Sequence, residues 1–189
     1  TAYRHPNPQP FALMIKQALI LALAALAALT SCQSGPSKHA ACADMPPYKG
    51  SAAFERMKSL VGKWSGDSPE MGTMNTEFRL IAGDSVIQET FAGGTPMEML
   101  SVYHDVNGKL TMTHYCMLRN QPRMKLVKQT ADSLTFDLAP TPGLNVNKDM
   151  HMHGATYTFL DANHFKLEGV SWKDGKSAPC GRPVIFTRQ

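Results

Sequence analysis

The sequence predicts an all-β domain over residues 51–189, a single antiparallel up-and-down barrel of about eight to ten strands with a short N-terminal helix. Three observations predict it. Hydrophobic residues make up 43% of the chain and charged residues 18%, a balance that suits a chain with a real core. From about residue 62 onward the apolar pattern has period two. Turn signals then recur every eight to thirteen residues in most of the chain: Ala82-Gly83-Asp84, Gly93-Gly94, Asn107-Gly108, Asn120-Gln121-Pro122, Ala131-Asp132, Pro142-Gly143, Asp161-Ala162-Asn163 and Asp174-Gly175. Short strands between regular turns indicate a sandwich or barrel.

The elements follow in order. Ser51 is a good N-cap, and Phe54, Met57, Lys58 and Val61 fall near helical spacing, so a short helix opens the domain. Leu60-Val61-Gly62-Lys63-Trp64-Ser65-Gly66 leads into the first strand, and Thr76, Phe78 and Leu80 share a parity in the next. Asn107-Gly108 is the strongest hairpin signal, because both residues tolerate the positive φ of a type I′ turn. Leu110, Met112, His114, Cys116 and Leu118 fall on one face, against Thr111, Thr113, Tyr115 and Arg119 on the other. Leu134, Phe136 and Leu138 oppose Ser133, Thr135 and Asp137, which is apolar in and polar out. Val184–Arg188 is the last strand.

The first fifty residues read differently. Lys16 is followed by a charge-free run, and Ala18–Leu29 is unbroken Ala, Leu and Ile, too short to span a bilayer comfortably but suited to a signal sequence. Met14-Ile15-Lys16 makes a short basic start, so residues 1–13 read as upstream sequence and 14–31 as the signal peptide. Leu29-Thr30-Ser31-Cys32 resembles the bacterial lipobox, which implies cleavage before Cys32 and lipidation there. Gln33 after it is not the aspartate of an inner-membrane retention signal, so the expected location is the outer membrane, facing the periplasm. Residues 32–50, rich in Ser, Pro, Gly and Ala, form a flexible tether. The net charge of +4 is dispersed, with no basic run or helix, which argues against a nucleic-acid partner.

The Gly62-Lys63-Trp64-Ser65-Gly66 stretch, placed after a helix and ahead of a meander, resembles the Gly-x-Trp start of lipocalin and calycin barrels, the nitrobindin-like branch included. The resemblance implies that Trp64 closes the barrel floor and stacks with Arg188 of the last strand. It also places the two chain ends close together, which implies a Cys42–Cys180 disulfide in an oxidising compartment. A nitrobindin-like barrel would use a C-terminal histidine for haem, whereas the last histidine here is His164, so haem is disfavoured. Thr113-His114-Tyr115-Cys116, Asn120-Gln121-Pro122-Arg123-Met124 and Asp149-Met150-His151-Met152-His153-Gly154 are similar to an uncharacterised family of bacterial secreted proteins, a likeness that implies no activity.

His151 and His153 share a parity with Ala155, Tyr157 and Phe159, an inward-looking set, and His114 and Cys116 share one with Leu110 and Met112. The expectation is therefore an interior cluster of His114, His151 and His153 beside Cys116, with Arg123 and Asp149 close by. Such a set suits a transition metal such as zinc; hydrogen-bonded core histidines or a polar floor for an organic ligand are the alternatives. A β-bulge at Gly154 would reverse the parity and send His151 and His153 outward. All of the twelve methionines except Met14 lie in the mature chain, where thioethers could hold cuprous ion but more often fill cores and apolar pockets. No nucleophile elbow, zinc-protease, paired-cysteine or phosphate-loop motif is present. Three functions remain open: a lipid-anchored barrel holding a small apolar or amphipathic ligand, a metal-binding protein or metal-dependent enzyme, and a structural envelope protein with a filled interior.

Overall fold

A computed structural model describes residues 46–178 and 181–189; the export segment, Cys32, Cys42 and Cys180 lie outside the described residues. Ser51 starts helix α1 (Ala52–Lys58): its Oγ accepts the Phe54 amide proton at 3.2 Å and donates to Asp105 Oδ1 at 2.8 Å. Ala53, Phe54 and Met57 are its buried face. Val61 falls beyond the helix, and Leu60, 1% exposed, takes the inward position instead.

The rest is β-structure. The strands are β1 (Gly62–Ser68), β2 (Gly72–Ile81), β3 (Val86–Phe91), β4 (Met99–Val106), β5 (Lys109–Tyr115), β6 (Arg123–Gln129), β7 (Ser133–Leu138), β8 (His151–Phe159), β9 (His164–Lys173), β10 (Lys176–Ala178) and β11 (Val184–Arg188). Strands β1 to β9 pair antiparallel in succession, β9 pairs with β11, and β11 returns to β1. The result is a closed ten-strand antiparallel barrel with β10 as an extra strand on β9, consistent with a lipocalin- or calycin-like layout. Closure removes the free edges that an open sheet would expose. At the β4–β5 hairpin, Asn107 and Gly108 have φ of 52° and 72°, the type I′ geometry that the right-handed twist of the strands favours.

The two glycines of the opening motif act at the β1–β11 seam. Gly62 has φ of 128°, and a Cβ there would sit 2.8 Å from Arg188 Nη1. A Cβ on Gly66 would meet the Ile185 carbonyl oxygen at 2.6 Å. Between them Trp64, 1% exposed, donates its indole N–H to Leu60 O at 2.6 Å and packs edge-on against Phe165. Arg188 lies over the Trp64 ring at 4.0 Å from its centroid, and Nη1 and Nη2 donate to Val61 O and Ser59 O at 2.9 and 2.7 Å. One guanidinium thus ties the last strand to the helix-to-β1 turn.

With α1 and this Trp–Arg pair closing one end, the interior above them is filled by aromatic rings. Phe78, Tyr103, Phe136, Tyr157, Phe165 and Phe186 are all at most 1% exposed. Most meet edge to face, while Phe165 and Phe186 stack at 5.0 Å. The opposite end, at the β1–β2, β3–β4 and β5–β6 turns, is not filled this way.

Candidate functional site

At that opposite end lies a cavity of about 350 Å³. Its wall is mostly thioether and aromatic: Met71, Met74, Met97, Met99, Met117, Met150 and Met152 line it, with Phe91, Leu118, Leu167, Val184 and Phe186. Methionine suits such a wall, because an unbranched polarisable side chain adapts to the shape of an occupant. Met71, Met97 and Met117 come from the connecting turns and Met150 from the segment before β8, so turns as well as strands build the rim.

The polar groups converge at the floor. Glu89 sits on β3 at the parity of Ile87 and is only 2% exposed. Tyr103 donates to its Oε2 at 2.5 Å and Tyr157 at 3.1 Å, while Thr76 donates to Oε1 at 3.2 Å. The two phenol oxygens are 2.6 Å apart. Burial pushes the Glu89 carboxyl up from its ordinary range, and the hydroxyls of Tyr103, Tyr157, Thr76 and Ser101 pull in the other direction. Burial, and then the Glu89 charge, raise both tyrosines well above their usual value.

Beside this cluster, Ser101 Oγ is 3.0 Å from Nδ1 of His114. His114 is 6% exposed and lines the cavity, and desolvation pushes its pKa down to about 4. The imidazole is therefore neutral at physiological pH. Ser171, 5% exposed, also borders the cavity.

The expected three-histidine cluster is not formed. His114 and Cys116 line the cavity, but His151 and His153 do not, and their neighbours Met150 and Met152 do. The cause is a bulge: Met152 pairs with Ser171 and Gly154 with Val170, so β8 carries one extra residue at His153. Parity inward of Ala155 and Tyr157 is thereby reversed below the bulge. His153 lies flat on Trp172, ring centroids 3.9 Å apart at 8°, and His151 Nε2 is 3.0 Å from His153 Nδ1. His151 Nδ1 donates to Asp149 O at 2.7 Å, and Asp137 Oδ1 is 3.8 Å from His153 Nε2. Burial lowers the His153 pKa, partly opposed by Asp137.

Arg123 and Asp149 do not line the cavity either. Arg123 is exposed at the start of β6, and Asp149 accepts the Asn145 amide proton at 2.8 Å within the turn before β8. Among the described residues, no three His, Cys, Asp or Glu side chains are placed to share a metal ion, which removes the ligand set of His114, His151 and His153.

Sequence reasoning passed over Glu89, Ser101 and Tyr103. A signal was available for Glu89: it is a carboxylate between Ile87 and Phe91 at the inward parity of a strand, where charge is costly unless hydrogen-bonded. Comparison of the chain with protein-family models gives no match, and comparison with curated proteins gives none.

Proposed function

We propose that this protein is a lipid-anchored envelope protein whose barrel binds a small apolar or amphipathic molecule. The observation that carries the reading is the cavity of about 350 Å³ at the end of the barrel away from α1, walled by methionine and aromatic side chains with a few convergent polar atoms at its floor. Apolar walls supply affinity through burial, and sparse polar groups orient the occupant. Anchoring rests on the Leu29-Thr30-Ser31-Cys32 stretch, and multiple acyl chains would hold the barrel durably at the outer membrane, facing the periplasm. No step of chemistry is assigned to the barrel.

Binding is tested by titrating the purified protein with N-phenyl-1-naphthylamine, whose fluorescence rises in apolar surroundings. Saturable enhancement is expected, and Met152→Trp, which fills the cavity, should abolish it without changing the circular dichroism spectrum. No enhancement with the parent protein, or an unchanged one in the variant, would sink the reading. Anchoring is tested separately: Cys32→Ala should release the protein from the membrane fraction and end palmitate labelling.

A further inference from the structure

We infer that the occupant of this cavity is an apolar molecule carrying a primary or secondary ammonium group, which pairs with the buried carboxylate of Glu89. The inference rests on the reading of the cavity as a ligand site and specifies its chemistry.

Glu89 borders the cavity, is 2% exposed, and forms no ion pair with any described Lys, Arg or His side chain. A carboxylate taken out of water is costly unless it is paired as well as hydrogen-bonded. Its hydrogen bonds are shared unevenly between the two oxygens. Oε2 accepts from the phenols of Tyr103 at 2.5 Å and Tyr157 at 3.1 Å. Oε1 is contacted by Thr76 Oγ1 at 3.2 Å, but that hydroxyl has one proton and stands almost as close, at 3.3 Å, to Thr90 O. Ser101 Oγ, the neighbouring hydroxyl of the wall, makes its 3.0 Å contact with His114 Nδ1. Oε1 therefore keeps lone-pair capacity that an N–H donor in the cavity can fill.

The rest of the wall favours a cation over an anion. Tyr157, Phe91 and Phe186 border the same space, and aromatic rings attract positive charge. The guanidinium among the described lining residues, Arg182, is exposed, and its Nε donates to Glu70 Oε1 at 2.9 Å. An alcohol could donate to Oε1 but would leave the buried charge uncompensated, and a carboxylate would set a second negative charge beside it. Burial raises the Glu89 pKa, and an ammonium next to it lowers it again, so each group holds the other in its charged form.

The test is displacement of bound N-phenyl-1-naphthylamine at pH 7 by three probes of matched chain: decylammonium, 1-decanol and decanoate. Decylammonium should displace at about ten- to hundredfold lower concentration than 1-decanol, the worth of a charge-assisted hydrogen bond to a buried group. The chain carries a net charge of +4, so diffuse attraction would favour decanoate and cannot produce this order. In Glu89→Gln, which keeps an acceptor for the tyrosines, the advantage of the amine over the alcohol should disappear. In the parent protein it should persist in about 1 M NaCl, where the Debye length is about 3 Å, because a buried pair is screened little. Equal displacement by amine and alcohol, a preference for decanoate, or an advantage that survives Glu89→Gln overturns the inference and leaves the binding cavity standing. An advantage that high salt abolishes does the same, since it places the pairing at exposed carboxylates such as Glu70. Failure of the fluorescent probe to bind removes the cavity reading itself, and this inference with it.

Discussion

Acidification from pH 7 to pH 4 should weaken the fold through His114. The imidazole is held neutral by burial, with a pKa of about 4 against 6.5 for the ordinary group. Between those two values the unfolded chain takes up a proton that the folded chain refuses, so stability falls as pH drops through the window and is fully retained above 6.5. A difference of roughly 2.5 units at 1.36 kcal/mol each corresponds to about 3 kcal/mol at the acid end. That is a large share of the stability of an ordinary domain. Glu89 works in the opposite sense, because burial raises its pKa and the folded chain takes up that proton first as pH falls. Urea unfolding of the parent protein and of His114→Leu at pH 7, 6, 5 and 4 separates the two, since Glu89 and the surface carboxylates are common to both. The stability gap between parent and variant should shift by about 3 kcal/mol against the parent between pH 7 and pH 4. A gap that stays constant over that range would refute the assignment of a buried, neutral His114.

Three further outcomes are expected. Gly66→Ala places a methyl group against the Ile185 carbonyl oxygen and should force the β1–β11 seam apart, lowering stability by about 1–3 kcal/mol in thermal or urea unfolding; an unchanged midpoint would contradict the seam geometry. Glu89→Gln should be tolerated because it keeps an acceptor for the tyrosines, whereas Glu89→Leu strands the hydroxyls of Tyr103, Tyr157 and Thr76 at roughly 1–3 kcal/mol each, so equal stability of the two variants would argue against the network. Dilute hydrogen peroxide should oxidise the rim methionines Met71, Met97, Met117 and Met150, which are 37–49% exposed, well before Met57, Met112 and Met124, which are at most 1% exposed; mass spectrometric mapping that finds no such order would contradict the open rim.

Much of the architecture was legible in the chain because it rests on local rules. Turn residues at Asn107-Gly108 and elsewhere, with apolar residues alternating between them, specify antiparallel strands in order, and Leu110, Met112 and His114 share the inward face that their parity implies. The Gly-x-Trp-x-Gly stretch and the distant Arg188 also belong together, since both glycines mark where β1 and β11 approach too closely for a Cβ. Tertiary structure decided the rest. A single extra residue at His153 reverses side-chain direction, so it exchanged two histidines for Met150 and Met152 at the cavity wall. Period-two reading carries no information about such a slip. The floor was hidden for a different reason. Glu89, Ser101, Tyr103, His114 and Tyr157 come from four strands, and a carboxylate is worth burying only when hydroxyls from β2, β4 and β8 arrive around it together. That convergence is a property of the closed barrel, where strands far apart in sequence face one another across its interior.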